Sequence, residues 1–221
     1  MEDEFIYWRH ITPIGVKVEE VMGGGAYPKS ARMSMARQIY CENGRDGCYR
    51  TILHLPDGAP LLEEEETRIS ISHTDGLFAV ASLPKTPEAD FTKFNQRTAV
   101  GIDVERLGRE KAYDVRERFL SDEELKLVGE SAELALLAWT IKEALYKAAL
   151  DTSVDWRTGL RILTLPEPQP EEGEGGYTLG RAEIVRPDGT VLPMDLHSYV
   201  SAGCIVSVAC SPKAAKYGVK K

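Results

Sequence analysis

A chain of 221 residues, 43% hydrophobic and 28% charged, has globular composition and can bury a real core as one large domain or two smaller ones. A net charge of −8 excludes general nucleic-acid binding, which needs a dominant basic surface. No apolar run approaches the roughly 20 residues of a membrane-spanning helix, and Met1-Glu-Asp-Glu-Phe5 is acidic where a secretory signal would be basic, so a cytoplasmic protein without membrane contact is expected.

In chain order, Phe5 to Trp8 is a short aromatic, β-branched start suited to an edge strand. Pro28 to Tyr40 predicts a helix, with Pro28 near its first turn and Met33, Ala36 and Tyr40 on one face. Cys41, Cys48, Cys204 and Cys210 form no Cys-x-x-Cys pair and have no histidine at zinc spacing, so they are expected as free thiols without zinc. Thr51 to Leu55 predicts a strand ending at the turn Pro56-Asp-Gly, and Glu63 to Glu66 an exposed acidic run. Arg68 to Ser72 and Leu77 to Leu83 are strand-like runs around His73-Thr-Asp-Gly76, which predicts a hairpin. Pro84 to Arg97 suits an irregular connection, and Val100 to Val104 a buried strand.

Ser121-Asp-Glu-Glu124 has the form of a capping box opening a helix, which accounts for Glu124 without any site role. Glu133 to Leu150 is the strongest helix, with Leu134, Leu137, Ile141, Leu145 and Ala148 as its apolar stripe. Arg161 to Leu165 predicts a strand and Pro166 to Gly176 an acidic loop. Tyr177 to Val185, Val191 to Val200 and Cys204 to Ala209 are strand-like, separated by Pro187-Asp-Gly and Ser201-Ala-Gly turns. Ser72 to Ala81 echoes Tyr199 to Ala209; either two related halves meeting near residue 100 or chance likeness between hairpins would give this.

Chemistry concentrates in two elements. On a strand, Asp103 and Glu105 of Gly101-Ile-Asp-Val-Glu105 share one face, and adjacent carboxylates repel unless one is protonated or a cation lies between them. On the long helix, Trp139, Glu143 and Lys147 lie four apart along one face. A surface Glu–Lys pair is the plain alternative, but an aromatic at one end suits a cleft wall better. The chain has no phosphate-binding glycine loop, since Gly23-Gly-Gly25 lacks the lysine and helix context.

Together the two elements resemble the 4′-phosphopantetheinyl transferase superfamily: a Gly-Ile-Asp-x-Glu strand, then Trp139-Thr-Ile-Lys142-Glu143-Ala-Leu-Tyr-Lys147 on a helix. Ile71-Ser72-His73 upstream and Arg118-Phe-Leu-Ser121 followed by Glu124 agree with it, and the length resembles the larger, monomeric, pseudo-duplicated type that activates surfactin synthetase. The resemblance implies an α+β fold of two similar halves in pseudo-twofold arrangement, each an antiparallel sheet on a long helix, spanning 1–99 (cofactor side) and 100–221 (metal and catalytic motifs). It implies transfer of 4′-phosphopantetheine from coenzyme A to a serine of an apo acyl or peptidyl carrier protein in fatty-acid or secondary-metabolite synthesis, releasing 3′,5′-ADP. Magnesium (or manganese) would be held by Asp103, Glu105 and Glu143, with Glu143 and Lys147 catalytic. Ser72, His73, Lys142 and Lys147 would meet the cofactor, as would Lys29 and Arg37 of a basic helix that lacks the family's usual acidic residue.

Two alternatives share these residues: another magnesium enzyme acting on a nucleotide pyrophosphate, and a non-catalytic module binding coenzyme A or a carrier. The segment from Arg106 to Arg118 carries five basic residues (Arg106, Arg109, Lys111, Arg116, Arg118) against three acidic ones and is the expected docking surface for an acidic carrier.

Overall fold

Hairpins connect most of the strands, because short turns join β-rich runs throughout the sequence. The computed structural model describes residues 4–43, 49–55, 58–63, 67–83, 99–168 and 178–212. The first sheet contains β1 (Phe5–Ile11), β2 (Lys17–Gly23), β3 (Ile52–His54), β4 (Pro60–Leu62), β5 (Thr67–Thr74) and β6 (Leu77–Ser82), in the order β1-β2-β6-β5-β4-β3. Helix α1 (Lys29–Glu42) lies against β2, β1 and β6. The second sheet contains β7 (Val100–Arg106), β8 (Leu160–Thr164), β9 (Gly180–Val185), β10 (Val191–Ser201) and β11 (Cys204–Cys210), in the order β7-β11-β10-β9-β8. Between β7 and β8 run α2 (Lys111–Asp114), α3 (Arg116–Phe119), α4 (Asp122–Val128) and α5 (Ala132–Ala149). All strand pairs are antiparallel, so the chain is α+β.

Local signals placed several elements well. Both halves of the capping box form: the Glu124 amide donates to Ser121 Oγ (3.3 Å), and the Ser121 amide to the Glu124 carboxylate (2.7 Å). Ser131 caps α5 by accepting from the Leu134 amide (3.1 Å), and Leu137, Ile141, Leu145 and Ala148 are buried while Leu134 is half-buried. The turns Asp75-Gly76 and Ala202-Gly203 are both two-residue hairpin loops. Ala202 and Gly203 both have positive φ (49° and 68°), as a primed turn requires.

Other elements have no local signature. Strand β2 reads as Lys-Val-Glu-Glu-Val-Met-Gly, yet its first five residues are buried. Its charges survive burial because partners meet them, most from distant parts of the chain. Glu19 accepts from Tyr7 Oη (2.5 Å), Arg9 Nε (2.7 Å), Lys17 Nζ (2.9 Å) and Arg50 Nη1 (2.8 Å). Burial pushes the Glu19 pKa up, but these donors outweigh it and hold the group at about 2. Strand β4 and the one-turn helices α2 and α3 are too short to carry a period, and β1 runs three residues beyond Trp8. The expected connection over 84–97, most of the acidic run and most of the 166–176 loop lie outside the described residues.

The sheets meet side by side. The edge strand β7 presents its Ile102 and Val104 amides to Ser70 Oγ (3.0 Å) and Ser72 Oγ (3.2 Å) of β5. On the other side, Glu20 of β2 accepts from Tyr199 Oη (2.7 Å) and Ser201 Oγ (3.0 Å) of β10. Val18, Leu77, Ala79, Ile102, Val104, Val206 and Val208 fill the core between them. No helix among the described residues is long and apolar enough to cross a membrane.

His197 is buried on β10 with its ring stacked on Tyr199 (centroids 5.6 Å apart). Burial, helped by nearby His10, lowers its pKa from 6.5 to about 4. The unfolded chain therefore binds this proton first, and stability falls as pH drops from 6.5 towards 4. Urea unfolding is expected to show about 2 kcal/mol less stability at pH 5 than at pH 7 from this group, and His197→Gln should remove that share.

Candidate active site

The site begins with how closely β7 rides on α5. A Cβ on Gly101 would stand 1.9 Å from the Ala144 carbonyl oxygen and 2.9 Å from the Ala148 amide nitrogen. Only glycine fits, so strand and helix touch backbone to backbone and everything they carry lies close together. The pleat turns Ile102 and Val104 into the core, 0% and 2% exposed, and sends Asp103 and Glu105 to the opposite face.

Asp103 is buried. Its Oδ1 accepts from Lys147 Nζ (2.8 Å) and from Ser72 Oγ (2.9 Å), while its Oδ2 is buried without a hydrogen-bond partner. Lys147 also donates to the Ile102 carbonyl (3.1 Å). Ser72 thus both orients Asp103 and receives the Val104 amide. Glu105 Oε1 accepts from Trp139 Nε1 (3.2 Å), and its Oε2 from Arg109 Nη1 (2.5 Å). Glu143 is half-buried, and its pKa is raised first by burial and then by the Asp103 carboxylate, with Glu105 adding to it and Lys147 opposing. Glu143 therefore feels both other carboxylates.

Beside them opens a cavity of about 790 Å³, lined on the polar side by Arg37, His54, Ser70, His73, Lys147 and Asp151 and on the apolar side by Met33, Ile69, Ile71, Phe78, Tyr146 and Leu150. His73 lies at its wall; burial, then Lys29 and Lys147, lowers its pKa, so Lys29 contributes to the same positive field. Lys29 and Arg37 are exposed on α1.

Residues 99–183 match the family model of the 4′-phosphopantetheinyl transferase superfamily. This match supports the superfamily and, in general terms, phosphopantetheinyl transfer. No curated protein matches the chain. Asp103, Glu105, Lys142, Glu143 and Lys147 fall inside the superfamily segment, whereas Ser72, His73, Lys29 and Arg37 lie before it.

A superfamily active site implies a divalent metal, and the donors present suit one. They are hard carboxylate oxygens, and Asp103 Oδ2 is a buried acceptor still lacking a partner. Among the described residues, though, no three His, Cys, Asp or Glu side chains are already gathered as around an ion. Lys147, Arg109 and Trp139 hold the oxygens of Asp103 and Glu105 instead.

Lys142 lies apart from these groups. It is 0% exposed, and its Nζ donates to the Glu124 carboxylate (2.8 Å), the Trp156 carbonyl (3.1 Å) and the Leu160 carbonyl. All three N–H groups are used on the side of α5 facing α4 and β8, and Lys142 does not line the cavity. One residue along a helix is about a 100° turn, which carries Lys142 away from the face of Glu143. Glu124, besides its capping role, receives Lys142 and the Ile162 amide (2.7 Å) and so ties α4 to α5 and β8. Sequence reasoning also missed His54 and Tyr146 on the cavity wall and the hold of Trp139 and Arg109 on Glu105. Only Arg109 carried a usable signal, four residues after Glu105.

Because Lys142 and Glu124 form a buried pair, Lys142→Met should cost about 3–5 kcal/mol in urea unfolding. Lys147→Met, at the half-exposed rim, should cost far less stability than Lys142→Met under the same conditions.

Proposed function

We propose that the chain moves the 4′-phosphopantetheine group of coenzyme A onto a serine of an apo acyl or peptidyl carrier protein. The observation that carries this reading is Lys147, which bonds Asp103 in reach of Glu143 and also lines a cavity with Arg37 and His73 on its wall. Phosphoryl transfer asks for positioning and for neutralisation of oxygen charge, and a basic cavity beside an acidic cluster provides for both.

Magnesium, held by Asp103, Glu105 and Glu143, would supply charge neutralisation at the pyrophosphate when bound. The chain's own groups do the rest. Lys147 faces the leaving phosphate, and His73, Arg37 and Lys29 place positive charge along the nucleotide's phosphates. Glu143, whose pKa is raised by burial, accepts the carrier serine's proton as the serine oxygen bonds to phosphorus. The pyrophosphate P–O bond breaks, and 3′,5′-ADP leaves with that electron pair.

The same reading places the protein in the larger, monomeric, pseudo-duplicated type, divided as 1–99 and 100–221, and in the cytoplasm. The two hairpins β5–β6 and β10–β11, each closed by a two-residue loop ending in glycine, support the pseudo-twofold relation.

The deciding experiment incubates the protein with coenzyme A, magnesium and an apo carrier and weighs the carrier. One added phosphopantetheine is expected, and Asp103→Ala or Glu143→Gln should lower the rate by about a hundredfold or more. Coenzyme A binding without any mass gain would favour a non-catalytic module. Transfer by either variant at the parent rate would remove the metal and base roles.

The basic segment supports an acidic partner, but Arg109 is spoken for by Glu105, and Arg116 sits over the Tyr113 ring (3.7 Å) and 3.6 Å from Glu130. Arg118 is exposed. Arg116→Glu with Arg118→Glu should slow carrier modification several-fold, most at low salt, and leave coenzyme A affinity unchanged by calorimetry. Equal loss of both would place docking elsewhere.

A further inference from the structure

Glu143 lies within electrostatic reach of Asp103 and Glu105, and each of the three carboxylates is held differently. Lys147 and Ser72 hold Asp103. Burial and the neighbouring charge push Glu143 towards its neutral form. Glu105 is taken by two donors, one on each oxygen: the Trp139 indole on Oε1 and the Arg109 guanidinium on Oε2.

These two donors differ in freedom. Trp139 is half-buried, its ring edge-on to Phe119 (centroids 5.1 Å) and tilted against Trp156 (5.8 Å). Moving it would open the packing of α3 against α5. Arg109 is 49% exposed at its side chain and follows Gly108, whose φ of +77° turns the chain away from β7. Its guanidinium can swing into water at little cost, since exposed ion pairs contribute little. Lys147, by contrast, is pinned by the Ile102 carbonyl as well as by Asp103.

We propose that Arg109 is a releasable latch on Glu105. It holds Oε2 in the absence of a divalent cation and competes with that cation for the same oxygen, while Trp139 keeps Oε1 fixed so that the carboxylate stays aimed at the site. The proposal rests on the reading of Asp103, Glu105 and Glu143 as metal ligands. Trp139 and Arg109 act through Glu105, so both are positioning residues. The latch keeps the acidic cluster compact when empty, and its release lets Glu105 join a cation already attracted by the unpartnered Asp103 Oδ2.

Titration of the full chain with Mn²⁺ alone, with free Mn²⁺ read by electron paramagnetic resonance, tests this without any turnover. Arg109→Gln should tighten Mn²⁺ binding about two- to fivefold, the range expected for breaking an exposed ion pair. Trp139→Phe, which keeps an aromatic ring and removes the N–H, should weaken it. Lys111→Gln, the same charge change at an exposed site on α2, should leave affinity as it is. If Arg109→Gln binds no tighter than the parent, or if Lys111→Gln tightens equally, the latch is wrong and only the general field matters. If Trp139→Phe binds as the parent does, the indole does not aim Glu105. Failure of the parent protein to bind Mn²⁺ at all would instead overturn the metal reading and this proposal with it.

Discussion

The contact between β7 and α5 at Gly101 is the constraint on which the candidate site depends. A strand and a helix normally stand apart by the length of their side chains. Here one side chain is missing, and a carbonyl of α5 occupies the space where its Cβ would be. Lys147 Nζ can then reach both a backbone carbonyl and a carboxylate of β7, and Glu143, one turn earlier, comes within electrostatic reach of Asp103 and Glu105. Any wider spacing would leave two unrelated charged surfaces.

The second condition is the seam between the sheets. Strand β7 is an edge strand, and its outward amides are met by the hydroxyls of Ser70 and Ser72. Serine thus does two jobs at Ser72: it closes the edge of one sheet and fixes the Asp103 carboxylate that Lys147 also holds. His73, next along β5, is thereby presented to the cavity wall. On the opposite side of the molecule Glu20, Tyr199 and Ser201 join β2 to β10 with the same economy of buried polar groups.

Charge inside this protein is managed by pairing rather than avoided. Glu19 gathers three cations and a phenol, Glu124 gathers a buried lysine and two amides, and Asp103 gathers a lysine and a hydroxyl. The difference lies in what remains open. Glu19 and Glu124 are enclosed by their donors and serve the fold. Asp103 keeps one buried oxygen without a partner, beside a cavity, which is what a binding group needs and a structural one does not.

Much of this was legible in the sequence. The two-residue period put Asp103 and Glu105 on one face, and the four-residue spacing put Trp139, Glu143 and Lys147 along one helix stripe. Ser121 with Glu124 announced a capping box, and Asp75-Gly76 a hairpin. These features are set by backbone geometry within a few residues, so sequence alone determines them. Tertiary structure decided the rest. Only packing shows that Lys142 turns inward to Glu124, that Arg109 bends back onto Glu105, and that a strand as charged as β2 is buried because all but one of the named partners of Glu19 and Glu20 arrive from 10 to 181 residues away. A side chain's local spacing fixes the direction in which it points; what waits there is fixed by the other end of the chain.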